Sequence, residues 1–132
     1  MEEIIILKSI NNSASIVSLR NDGIITIEIK ADTTLKLADA KEMVKGFAEI
    51  GEEKKHLLLF IAGDFALANA EARNYASGEE ANKYTIASAF VVRNIAQKLM
   101  GNAYITFNKP ITPTKIFTNE GEAVKWLKTI NS

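Results

Sequence analysis

What this 132-residue chain lacks narrows its chemistry first. It has no cysteine, which removes disulfides, thiolate metal sites and thiol nucleophiles together and fits a reducing compartment. It has one histidine, His56, so a Ser-His-Asp triad would have to be built on that residue and a transition metal would find few ligands. His56 follows Glu52-Glu53-Lys54-Lys55, just before an apolar run, and reads as a solvated side chain at the end of a strand opposite to the one where ligands gather. Sixteen basic and sixteen acidic residues cancel, and lysines interspersed with glutamates leave no stripe for nucleic acid. The longest apolar runs, such as Ile4 to Leu7 and Leu57 to Ala62, fall far short of the roughly 20 residues that span a bilayer, so no membrane insertion is expected. Met1-Glu2-Glu3 followed by aliphatics is no signal peptide, and the expected location is the cytoplasm. Gly63, Gly78 and Gly101 stand alone, matching neither a Walker loop nor a dinucleotide fingerprint, and no cofactor is expected.

What is present reads as one ordinary α/β domain over residues 1–132, with 47% apolar and 24% charged residues. Ala14 to Arg20 and Ile24 to Lys30 flank Asn21-Asp22-Gly23, a hairpin in which Asp-Gly supplies positive φ. Ile25, Ile27 and Ile29 alternate with Thr26, Glu28 and Lys30, giving one apolar and one polar face. Ile4 to Lys8 reads as an extra edge strand, separated from the hairpin by the polar Ser9 to Ser13. Ala40, Met43, Val44, Phe47 and Ile50 recur at helical spacing over residues 37–50, and Gly51 stands at the C-cap. A buried strand over 57–62, a short helix over 69–77 and a strand over 85–92 follow. In 94–108 the spacing of Ile95, Leu99, Ala103 and Phe107 suggests a helix, whereas Tyr104-Ile105-Thr106-Phe107 suggests a strand, and periodicity leaves both open. After Pro110 and Pro113, a strand over 114–117 precedes a helix opened by Asn119 and Glu122, whose apolar side carries Val124, Trp126, Leu127 and Ile130.

Asn21-Asp22-Gly23-Ile24-Ile25, Ala38-Asp39-Ala40-Lys41-Glu42, Glu71-Ala72-Arg73-Asn74-Tyr75-Ala76, Gly101-Asn102, Phe107-Asn108-Lys109-Pro110 and the run from Ile116 to Leu127 carry, in that order, a family likeness. The chain resembles small bacterial proteins of the SpoIIAA-like, or STAS/SEC14-like, type. The resemblance implies a mixed sheet with an N-terminal β-hairpin and flanking helices, and it implies that 94 to about 108 is helical. It leaves function open, since the wider group includes antagonists of anti-sigma factors, transporter regulatory domains and hydrophobic-ligand carriers. The antagonists switch by phosphorylation of a Ser or Thr after a central strand. Here no Ser or Thr occurs from Leu35 through Ala76, so that switch has no acceptor at that place, and Asp64 in the corresponding loop is either a fixed negative charge or a turn residue.

The expected carboxyl ends of the strands bring up Asp64, then Arg93 and Asn94, then Thr118 and Asn119. Arg93 with helix N-termini suits a small polar or anionic ligand, against the plainer reading of N-caps and an exposed arginine. Arg73 and Tyr75 could join them, so the candidate ligand or partner surface is Asp64, Arg73, Tyr75, Arg93 and Asn94, with no catalytic and no metal-binding residue named. The expected role is a non-enzymatic regulatory or protein-interaction domain, its partner being a second copy or another protein. The alternative is a carrier or sensor of a small hydrophobic or amphipathic ligand, suggested by the face Ile95, Leu99, Met100, Ala103 and Phe107, which is more simply read as core.

Overall fold

The structure is a computed structural model and describes residues 3–130. Strands β1 (Ile6–Asn11), β2 (Ser15–Arg20) and β3 (Ile25–Ile29) form an antiparallel meander. Then come β4 (Thr34–Leu35), helix α1 (Leu37–Ile50), β5 (His56–Ala62), β6 (Leu67–Ala68) and α2 (Ala70–Ala76). The chain continues with β7 (Thr85–Val91), α3 (Ile95–Ala103), a π-helical turn at Tyr104–Asn108, β8 (Thr114–Phe117) and α4 (Glu120–Leu127). The main sheet has the order β1-β2-β3-β5-β7-β8, parallel from β3 onward, and β4 pairs with β6 in a two-stranded parallel patch. The helical alternative for 94–108 is the one the structure adopts.

Strand alternation assigns the two faces. Ile25 and Ile27 of β3, Leu58 of β5 and Met43 and Phe47 of α1 form one core, and Ala72 of α2 joins it. The opposite side chains, Leu59 of β5 and Ala87 and Ala89 of β7, meet Ala123 and Leu127 of α4. Trp126 packs there too, its ring 5.8 Å from that of Phe117. Asparagine opens three helices alike: the side chains of Asn69, Asn94 and Asn119 accept from the amides of Ala72, Gln97 and Glu122 at 3.0, 2.9 and 2.9 Å.

Several local features differ from the sequence reading. β1 continues through Asn11 instead of ending near Lys8, and Ser9 faces Ser18 across the ladder with hydroxyls 2.8 Å apart. In the hairpin turn only Gly23 takes positive φ, at 87°. Asp22 instead turns its carboxylate inward: Arg20 donates to it at 3.1 and 2.7 Å, the Ile24 amide at 3.2 Å, and Lys128, just past α4, lies 3.2 Å away. Burial pushes the Asp22 pKa up, but the Arg20 hydrogen bond, the Ile24 amide, the Arg20 charge and Lys128 together outweigh it, and the group sits below its ordinary 3.8. His56 is half-buried and not simply solvated, its Nδ1 2.9 Å from the Gly23 carbonyl and its Nε2 3.1 Å from that of Gly51. A Cβ on Gly51 would fall 2.7 Å from that ring, so the C-cap glycine is fixed by the histidine stacked on it.

Candidate functional site

At the carboxyl ends of β5, β7 and β8 the chain forms a broad open depression of about 680 Å³, bordered by Asp64, Arg93, Asn94, Ile95, Thr118 and Glu120 among others. Four residues singled out from sequence therefore meet there: Asp64, Arg93, Asn94 and Thr118. Arg93 Nε donates to the Ala62 carbonyl at 2.8 Å, and its Nη1 lies 3.6 Å from Asp64 Oδ1, both side chains being exposed. The Asn94 side-chain oxygen is committed to capping α3. An exposed, already paired arginine beside a capped helix is a weak site for an anion.

Arg73 and Tyr75 do not border that depression. Both belong to α2. Arg73 Nη1 donates to the Ala68 carbonyl, and Tyr75 faces α1, with Lys41 Nζ 5.8 Å from its ring centre. Burial first, then the hydrogen bond and charge of Glu80, push the Tyr75 phenol up to about 12.

The larger departure lies in α3. The apolar stripe expected to be core is turned outward: Ile95 is 75%, Leu99 64% and Phe107 80% exposed, and Ala103 is exposed as well. The stripe that faces the sheet is Gln97, Met100, Gly101 and Tyr104. Gln97, 1% exposed, pins this orientation. Its Nε2 donates to the carbonyls of Gly63 and Ala66, each at 2.9 Å, and its Oε1 accepts from the Arg93 amide at 2.8 Å. Three bonds satisfy a buried amide, whereas a leucine in its place would leave the Ala66 carbonyl and the Arg93 N–H without a partner, the Gly63 carbonyl keeping its bond from the Ala66 amide at 3.1 Å. Gly101 lets α3 lie close, since a Cβ there would fall 2.8 Å from Ile116 of β8. Phe65 adds to the outward apolar surface, 72% exposed at φ 60° in the loop that Gln97 holds. Around this surface stand Arg93, Lys98 and Lys109, all exposed, and no Asp or Glu occurs from Ala81 through Asn119. That local run of one sign is hidden by the zero net charge.

Beneath α3 the sheet and helices α1 and α2 enclose a pocket of about 140 Å³. Its wall is almost wholly apolar, with Leu58, Phe60 and Phe90 from the sheet, Met43 and Phe47 from α1 and Met100 from α3. Phe60 and Phe90 stack at 4.5 Å, and Tyr104 meets Phe90 edge-on at 6.0 Å. Burial alone raises the Tyr104 phenol well above its ordinary value. A bulge feeds a polar group into this wall: His56 pairs with Thr85 but Leu57 with Ala87, so the extra residue Ile86 rephases β7. Thr85 thereby shares the pocket wall with Ser88 and Phe90, and its buried Oγ1 has no hydrogen-bond partner among the described residues. The sequence offered no signal for this pocket, because its lining is drawn from strands and helices all along the chain, from Ile29 to Ile116. Among the described residues no group of three or more His, Cys, Asp or Glu could hold a metal, and no helix is long and apolar enough to cross a membrane.

The strand order, the three helices over one face and the fourth on the other define a mixed α/β protein of the SpoIIAA-like fold. The chain belongs to the family described as Domain of unknown function (DUF7793), which matches residues 17–131. Among solved structures it is similar to an uncharacterized protein of the DUF3478 family from Shewanella loihica PV-4, itself described as having a SpoIIAA-like fold. That likeness has a TM-score of 0.57 at 13% identity and covers 94% of this chain and 93% of the other, which is a likeness of fold alone. A protein of unknown function from Arthrobacter sp. FB24 matches at 22% identity over 85% of this chain and 97% of its own, with a TM-score of 0.31 that carries no structural argument. No protein of curated function matches.

Proposed function

We propose that this chain is a non-enzymatic protein-interaction domain whose contact face is the outer side of α3 with the Phe65 loop. One observation carries the reading: Ile95, Leu99 and Phe107 are held outward by a buried Gln97 on the other side of the same helix. Large apolar side chains presented in line on a rigid element mark a docking face. Full burial of each contributes about 1.5–3 kcal/mol, enough together to drive association. The basic surround of Arg93, Lys98 and Lys109 favours a partner with an acidic rim, another protein or the acidic side of a second copy. A bacterial, cytoplasmic setting and a single domain over residues 1–132 accompany this proposal. The double substitution Leu99→Glu with Phe107→Glu tests it. Thermal unfolding should hold within a few degrees, while any partner or self-association seen with the native chain by sedimentation or copurification disappears. A complex that survives the double substitution unchanged would contradict the reading.

A second reading, a carrier or sensor of a small hydrophobic ligand, is favoured by the apolar pocket. It no longer draws on Ile95, Leu99, Ala103 and Phe107, which face away, and of the original five only Met100 lines the pocket.

A further inference from the structure

We propose that the pocket under α3 binds a small apolar monocarboxylic acid, its body among Phe60, Phe90 and Met100 and its carboxylate on Arg73. This rests on the second reading above, that the pocket holds a ligand, and adds its chemical class. The size comes first. A cavity of about 150 Å³ lined by apolar side chains takes up a molecule such as benzene, and this one measures about 140 Å³. A single ring or a short alkyl chain fills it.

The charge comes next. Among the described residues Arg73 is the one ionised side chain on the pocket wall, in contact with a surface that is otherwise apolar or neutral. It is half-buried, and among the described residues no carboxylate lies within ion-pair distance of it, whereas Arg20 and Arg93 each have one. Nη1 is spent on the Ala68 carbonyl, which fixes the guanidinium in place and leaves the rest of its donor fork for an acceptor. A half-desolvated cation at the border of an apolar cavity is stabilised most by an anion that brings its own apolar body, because carboxylate and guanidinium match as a bidentate pair. A neutral ligand would fill the cavity but leave that charge unanswered. A phosphate or a dicarboxylate would place charge against the phenylalanines.

The opening fits this orientation. Among the described lining residues only Leu67 is exposed, at 39%, and it adjoins Ala68, whose carbonyl holds Arg73, so the wall opens to solvent beside the arginine. A ligand entering body first ends with its head at the arginine.

The test is titration of the whole chain, followed by amide NMR shifts or calorimetry, with benzoate and hexanoate and with their neutral counterparts benzyl alcohol and hexanol. The same series is run on Arg73→Gln and on Ala76→Leu, which fills the pocket from α2. The acids should saturate at concentrations on the order of 1 mM or below, and their neutral counterparts should bind at least about tenfold more weakly. Arg73→Gln should erase that difference while retaining the neutral ligands, which shows that the variant is folded, and Ala76→Leu should weaken all four. Neutral ligands that bind as tightly as the acids, or acid binding untouched by Arg73→Gln, would overturn the assignment of a carboxylate and leave the pocket reading standing. No binding of any of the four would overturn both.

Discussion

Single residues decide more here than their positions in the sequence announce. Gln97 sits beside apolar residues in a helix, yet it is the residue that goes inside, because its amide meets the Ala66 carbonyl and the Arg93 amide, which have no other partner among the described residues, and the Gly63 carbonyl, which also accepts from Ala66. Gln97→Leu should therefore destabilise the chain by about 3 kcal/mol despite adding an apolar side chain at a buried site, whereas Leu99→Gln, at an exposed apolar site, should change stability by no more than about 0.5 kcal/mol. Chemical denaturation of the two variants reads both. Asp22 gives a pH dependence of definite sign. Its folded pKa is lowered, so its contribution is complete above the ordinary carboxylate value of 3.8 and is lost as pH falls through the lower folded value. Asp22→Asn should melt below the native chain at pH 6, and the gap should narrow as both are taken to pH 3. Arg73 was legible as a candidate from its type and position, but the sequence grouped it with Arg93, from which the fold separates it.

At the scale of elements, α1, β8 and the two helix-opening asparagines Asn94 and Asn119 follow from local pattern, because period, cap and breaker all lie within a few residues. The orientation of α3 does not. Two stripes run along it, Ile95-Leu99-Ala103-Phe107 and Gln97-Met100-Gly101-Tyr104, and hydrophobicity favours the first as core. What reverses the choice is remote: the carbonyls of Gly63 and Ala66 and the close approach of Ile116 to Gly101. The loop after β5 is built as tightly. A Cβ on Gly63 would fall 2.4 Å from the Ile29 carbonyl oxygen and 2.6 Å from the Ala31 nitrogen, and backbone atoms do not move aside as a side chain would. Gly63→Ala should cost about 2–3 kcal/mol, and because that loop presents Phe65 it should weaken the docking face as well. Thermal unfolding of the variant, with its capture of any partner bound by the native chain, measures the two effects separately.

For the molecule as a whole, the mixed sheet with an N-terminal hairpin and flanking helices was readable because alternating strand and helix patterns leave few topologies. The pair β4 and β6 was not, being two residues each and stabilised by what surrounds them. The fold also arranges two surfaces around one helix. The outer side of α3 is apolar and basic, and its inner side closes the pocket that Arg73 borders. A molecule seated in that pocket touches Met100 and Tyr104, which share α3 and its π-helical end with Leu99 and Phe107. The proposed contact face thus lies on the outside of α3, with the cavity behind it.

Everything proposed for this chain's interactions depends on the outer side of α3 being a contact face. The direct measurement is photo-crosslinking in cells that naturally make this protein, with a photoreactive side chain at position 99 and, as control, at the exposed Lys45 on α1. A contact face there yields a discrete protein adduct from position 99 that is absent from position 45 and is lost when Phe107→Glu is added. Equal labelling from both positions, or none from position 99 in a chain shown to be folded, would contradict it.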